Sequence, residues 1–137
     1  MNIIDSDLCQ LELDEQYMNS EQQNYFRHKL LHWREGLLDE LKQSQERIRS
    51  NEPSGGDLID QSVHDRNKIM DFIARDRVEK TIVQINAALR RLDEGSYGYC
   101  LVSGEEIGLP RLHAYPIATL SVEAQEQLEN RQRLVHC

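Results

Sequence analysis

Apolar positions recur at helical spacing in two long stretches of the chain. In the first, "NSEQQNYFRHKLLHWREGLLDELKQSQERIRS", Phe26, Leu30, Trp33, Leu37, Leu41 and Ile48 repeat while Glu, Lys, Arg and Gln fill the positions between them. Ser20 stands three residues before Gln23, a capping-box spacing in which hydroxyl and amide satisfy free backbone N–H groups, so a helix is predicted to start there. In the second stretch Met70, Ile73, Val78, Ile82, Ile85, Leu89 and Leu92 recur, with alternating four- and three-residue steps in the later positions. That helix is predicted to end near Gly95, a residue suited to a left-handed C-cap. Between the two, "NEPSGGDLID" gathers Pro53, Ser54, Gly55 and Gly56, which no regular helix crosses.

The two apolar rows fit one another when the second is run backwards. Phe26 with Leu92, Leu30 with Leu89, Trp33 with Ile85, Leu37 with Ile82, Leu41 with Val78 and Ile48 with Met70 have residue numbers totalling 118 or 119. One antiparallel fold-back centred near residue 59 satisfies all six pairs, and arms of roughly 30 residues would reach about 45 Å. The expected architecture is mainly α: a coiled-coil finger over residues 19–94 with its tip at 51–62, then a small globular head over 95–137. Within that head, residues 97–120 carry Gly, Pro and short apolar groups in the manner of an irregular or short-stranded module, and "SVEAQEQLENRQRLV" reads as a last helix capped by Ser121. Residues 1–18 are an acidic leader whose Ile3, Ile4, Leu8 and Leu11 could dock on something.

Composition narrows the function. The 137 residues are 39% hydrophobic, 29% charged and 6% aromatic, with a mean hydropathy of -0.67; amphipathic helices account for this better than one large core does. A formal net charge of -8 repels phosphate backbones and anionic membranes, which argues against autonomous DNA binding. Three widely spaced cysteines, 9, 100 and 137, and the lack of a signal-peptide apolar region point to a reducing cytoplasmic setting, and no apolar run approaches the roughly 20 residues that span a bilayer.

Few residues are placed for chemistry. Cys100, Ser103, Ser121 and Ala124 have the spacing of a four-ligand zinc site, but a hydroxyl or a methyl cannot replace a thiolate, and His113 is the only nearby group that could assist. Zinc is not expected. Cys100 reads as a small buried hydrophobe; the alternative is a nucleophile with His113 as base. Asp57 and Asp60 flank Leu58 and Ile59, either as a helix cap or as an exposed surface that touches a partner. "ARDRVEK" places Arg75, Arg77 and Lys80 among Asp76 and Glu79, as a solvated charged face or as a docking patch. No phosphate loop, metalloprotease motif or serine elbow is present, so an enzyme is not expected.

In order and spacing, "YMNSEQQNYFRHKLLHWREGLLDE", "DLIDQS", "RDRVEK", "YGYC", "GEEIGLPRL" and "AYPIATL" resemble the DksA family of bacterial RNA polymerase-binding regulators, over roughly residues 15–135. The resemblance implies a monomeric, non-enzymatic regulator whose finger enters the secondary channel of the polymerase and changes promoter-complex lifetime together with the alarmone ppGpp. It places the acidic tip pattern on Asp57, Asp60 and, with a departure, Ser62, and the basic docking stretch on Arg75 and Arg77. Replacement of three of four zinc positions matches a cysteine-poor branch taken to fold without metal. Positions that hold ppGpp in zinc-binding members fall on Thr81, Gln84, Tyr115 and Gln125, none of them cationic, which implies weak or rearranged alarmone dependence. A helical-hairpin adaptor or chaperone without action at a catalytic centre is the alternative from another class.

Overall fold

The computed structural model describes residues 16–50 and 58–135. Four helices follow in order: α1 (Ser20–Ser50), α2 (Leu58–Glu94), α3 (Leu109–Ala114) and α4 (Val122–Val135). They divide into two compact units. One is built from the chain up to Leu30 and from Ala87 onward, the other from Leu31–Asn86, so α1 and α2 each contribute to both.

The cap of α1 lies one residue earlier than the sequence suggests. The Asn19 side chain accepts from the Gln22 N–H at 2.9 Å, and Gln22, fully buried, accepts from the Met18 N–H at 2.6 Å. Met18 adopts a left-handed backbone with φ 55, which turns Asn19 rather than Ser20 onto the helix end. Gln23 instead donates to the Met18 carbonyl at 2.7 Å. At the far end of α2, Gly95 (φ 81) lets the Ser96 N–H reach back to the Arg91 carbonyl at 2.9 Å, a Schellman closure at the predicted place.

In the first unit Phe26, Leu30, Ala88 and Leu112 are fully buried, with Leu89 and Leu92 beside them. Phe26 sits 5.6 Å from the ring of Tyr97, whose hydroxyl donates to the Pro116 carbonyl at 2.7 Å. Burial pushes the Tyr97 phenol well above its ordinary range, so it stays a neutral donor. Tyr17 and Met18, the end of the expected leader, also pack here: the Tyr17 hydroxyl donates to the Gly98 carbonyl at 2.7 Å and accepts from the Gly108 N–H at 3.1 Å. Strand character is confined among the described residues to one antiparallel bridge, Tyr99 with Glu106.

The register of the paired helices is visible in each unit. Arg27 meets Asp93 at 2.8 Å in the first, and the Arg34 guanidinium donates to Asn86 at 2.7 Å in the second; both pairs total 120, next to the predicted apolar register. In the second unit Ile85 is fully buried and Trp33, Leu37, Leu41, Val78 and Ile82 are half-buried. The pairing of Ile48 with Met70 fails. Met70 and Ile73 are exposed, because seven-residue steps back from Leu92 run through Ile85 and Val78 to Asp71 and miss both. The seam of this unit is therefore partly polar, with buried Ser44 and half-buried Asp71 and Arg75.

Candidate functional site

The acidic candidates lie at the start of α2. Asp60 and Ser62 are exposed in its first turns beside Leu58 and Ile59, which are 86% and 74% exposed. Asp57 lies outside the described residues, as do residues 51–56 of the expected tip. Two branched aliphatics held in solvent next to a carboxylate at a helix start are costly for a monomer and useful to a surface that meets a partner. The carboxylate of Asp60 also suits the positive end of the helix dipole.

Further along α2 the two basic candidates part company. Arg77 is exposed, and its carbonyl accepts from the Thr81 hydroxyl at 2.9 Å. Arg75 turns to the seam: its Nε is buried without a hydrogen-bond partner, and the register set by Arg34 and Asn86 puts it level with Gln45, next to buried Ser44. Lys80 pairs with Asp76 at 2.9 Å, four residues back on the same face. Arg77 is thus the solvent-exposed candidate, and Arg75 sits within the helix pair.

In the first unit Ser103 and Ser121, two of the zinc-spaced positions, come to the sulfur of Cys100, and Ala124 is joined to them through Ser121. The Ser103 N–H lies 3.5 Å from Cys100 Sγ, and Ser121 caps α4 through its hydroxyl to the Ala124 N–H at 3.2 Å. The Cys100 backbone holds the loop shut: its N–H donates to the Glu105 carbonyl at 2.8 Å and its carbonyl accepts from the Gly104 N–H at 2.9 Å. Burial pushes the thiol up, but hydrogen bonds from the Ser103 side chain and from the backbone of Ser103, Ser121 and Val102 outweigh it and bring the pKa down to about 6. The loop directs these donors at a single sulfur.

That donor set does not fit a closed tetrahedral zinc site, since Cys100 is its only sulfur and Ala124 offers no donor. His113 does not complete it. Its Nδ1 faces the Tyr25 hydroxyl at 2.8 Å and Lys29 Nζ at 3.3 Å, and its carbonyl accepts from Lys29 at 2.6 Å. Burial holds the Lys29 ammonium below its ordinary range. These contacts join His113 Nδ1 to Tyr25 and Lys29 of α1. Of the positions that the resemblance relates to alarmone binding, Thr81 is tied to its own helix, Gln125 donates to Glu129 at 3.1 Å, and Gln84 and Tyr115 are exposed.

Tyr17, Tyr25, Lys29 and Ser44 were not anticipated as organising residues. Their partners lie more than eighty residues away in the case of Tyr17, Tyr25 and Lys29, a relation no local spacing carries. Ser44 was legible, since it falls in the seven-residue row of Leu30 and Leu37.

Comparison with known proteins resolves the family. Residues 22–92 match the family model described as "DnaK suppressor protein DksA, N-terminal domain", and residues 95–130 match "Prokaryotic dksA/traR C4-type zinc finger". The chain belongs to the DksA family. Its DksA relatives include the "RNA polymerase-binding transcription factor DksA" of Caulobacter vibrioides, 44% identical over 88% of this chain and 85% of that protein. The protein of the same name from Escherichia coli K12 is 31% identical, over 87% and 79% respectively. Among solved structures, transcription factor DksA2 from Pseudomonas aeruginosa superposes with a TM-score of 0.81 at 35% identity, covering 88% of this chain and 92% of that one. The zinc-finger match of the DksA head thus extends over a segment whose ligand positions retain one cysteine. Among the described residues no helix is long and apolar enough to cross a membrane.

Proposed function

We propose that this chain is a transcription regulator that binds bacterial RNA polymerase through its secondary channel and alters the stability of promoter complexes. The observation that carries this reading is the exposed acidic and apolar start of α2, Leu58, Ile59 and Asp60, in a chain whose relatives bear the name RNA polymerase-binding transcription factor. Asp57 and Asp60 act electrostatically near the polymerase catalytic region, and Ser62 follows Asp60 in α2 with a small hydroxyl. Arg77 docks the helix through charge-assisted contacts, while Arg75, turned into the seam, takes no part in docking. No chemical step is assigned to any side chain, and the protein works as a regulator rather than an enzyme.

The head folds without zinc. Its support is the set of hydrogen bonds that closes on the Cys100 sulfur and the Ser121 cap, which hold the knuckle with one thiolate. Alarmone dependence is weak, because a polyanion needs cationic donors and Thr81, Gln84, Tyr115 and Gln125 supply none. Equilibrium binding to purified core polymerase tests the reading: saturable one-to-one binding weakened by Arg77→Ala is expected. A chain that fails to bind polymerase would leave the adaptor reading in its place. In transcription assays ppGpp should add little to the effect of the protein, and full synergy would refute the alarmone proposal.

A further inference from the structure

α2 carries a second periodic row, on the side away from its seam. Between residues 58 and 83 the seam face holds His64, Asp71, Arg75, Val78 and Ile82, all half-buried. The aliphatics Ile59, Ile69, Ile73 and Val83 lie on the other side and are 74, 61, 49 and 67% exposed. With Ser62, Arg66, Asp76 and Lys80 they form one uninterrupted alternation of three- and four-residue steps. At about 100° per residue that row is roughly opposite the seam. Alternating steps of this kind are the repeat by which helices pair, yet apart from Asp76, half-buried beside Lys80, these residues stay in solvent for about seven turns.

The row is complementary to its own reverse. Turned end for end about Asp71, it sets Ile59 against Val83 and Ile69 against Ile73. It also sets Arg66 against Asp76, and Ser62 against Lys80. Two-fold symmetry would make each of these contacts twice. Phe72, 71% exposed, flanks the centre, so two copies would bring their rings together there. A parallel arrangement would instead oppose Arg66 to Arg66 and Asp76 to Asp76. Asp76 already holds Lys80 through Oδ2 at 2.9 Å, and a carboxylate has acceptor capacity for a second cation. A partner of unrelated sequence gives no reason for a face to match its own reversal, whereas a second copy of this chain does.

We propose that the outer face of α2 between Ile59 and Val83 is a self-association surface on which a second copy docks antiparallel. Asp65 and Glu79 lie on one flank of the row and oppose each other across such a pair, which keeps the association weak and reversible. Ser62 belongs to the row and Asp60 neighbours it, so a paired molecule covers the segment assigned above to polymerase contact. That consequence, a concentration-dependent masking of the regulator, rests on the proposed function; the pairing itself does not.

Sedimentation equilibrium of the full-length chain between about 1 and 500 µM tests the pairing without polymerase. A monomer–dimer equilibrium is expected in that range. Arg66→Asp and Asp76→Arg should each weaken it at least about tenfold, by replacing two attractive contacts with repulsive ones. A mixture of the two single variants should form a hetero-pair, and the doubly exchanged chain Arg66→Asp/Asp76→Arg should regain self-association. Both positions are on the surface of a long helix, and circular dichroism confirms that each variant remains folded. A wild-type chain that stays monomeric throughout, or a dimer indifferent to both charge changes, overturns the proposal. So does a monomeric chain whose polymerase affinity is lost on Ile73→Glu, which would assign the face to polymerase.

Discussion

Replacing Tyr17 by Phe removes one oxygen atom and leaves the ring. That oxygen donates to Gly98 at 2.7 Å and accepts from the Gly108 N–H at 3.1 Å, so it ties both ends of the 98–108 loop to the chain just before α1. The edge contact of its ring with Tyr99, centroids 5.6 Å apart, survives the change. Each bond contributes about 0.5–1.5 kcal/mol net, and a half-buried N–H left without its acceptor adds to the loss, so about 2–3 kcal/mol is expected. For a chain of this size Tm should fall by about 8–12 °C. Urea and thermal unfolding followed by circular dichroism measure the loss, and the fluorescence of Trp33, the only tryptophan, reports on the other unit. Gly98→Ala approaches the same contact from the opposite side. Its Cβ would lie 3.0 Å from the Tyr17 oxygen and 3.1 Å from Met18 Cγ, at a backbone with φ +91, so it should cost at least as much. The two changes together should cost less than their sum. A Tyr17→Phe loss below about 0.5 kcal/mol would refute the view that this phenol closes the loop.

Other expectations follow from the same structure. Arg75→Met should raise the urea stability by about 1–3 kcal/mol, because it removes a buried Nε without a partner and keeps an unbranched apolar stem in the seam; a loss would mean that the guanidinium is satisfied. Prolonged EDTA treatment should leave the melting temperature and polymerase binding unchanged, and a drop in either would contradict a metal-free head. Cys100 has a folded pKa of about 6, below the roughly 8.5 of a free thiol. Between those values the unfolded chain holds the extra proton, so this contribution to stability is full at high pH and is lost as pH falls through about 6. The Cys100→Ala variant should show a stability–pH slope flatter by about one proton across that window, and parallel slopes would refute the thiolate.

The long helices were legible because helical spacing is a property of the chain alone. Phe26, Leu30, Ile85 and Leu92 were assigned to the core and are buried there. Met70 and Ile73 are apolar but out of phase with the seam, since the seven-residue row from Leu92 leads to Asp71. The cap of α1 moved by one residue because the left-handed turn at Met18 has no sequence signal as strong as a glycine. Ser121 could be read locally as a cap, and the structure places it as one. The Tyr17 clamp and the Tyr25–Lys29–His113 group could not be read locally, since each depends on residues brought together by the whole unit. At the candidate site, the chemistry of Asp60 and Arg77 was visible as residue type, while the inward turn of Arg75 required knowledge of the seam.

The most direct measurement is the lifetime of an open promoter complex on a polymerase saturated with this protein, compared between the wild type and the Asp57→Asn/Asp60→Asn variant. Each amide keeps the size of the carboxylate it replaces and removes only its charge, so polymerase affinity should stay within about twofold. If the start of α2 acts at the catalytic region, the wild type shortens the lifetime and the variant, equally bound, leaves it as it is without the protein. A bound variant that shortens the lifetime as fully as the wild type would contradict the acidic-tip mechanism.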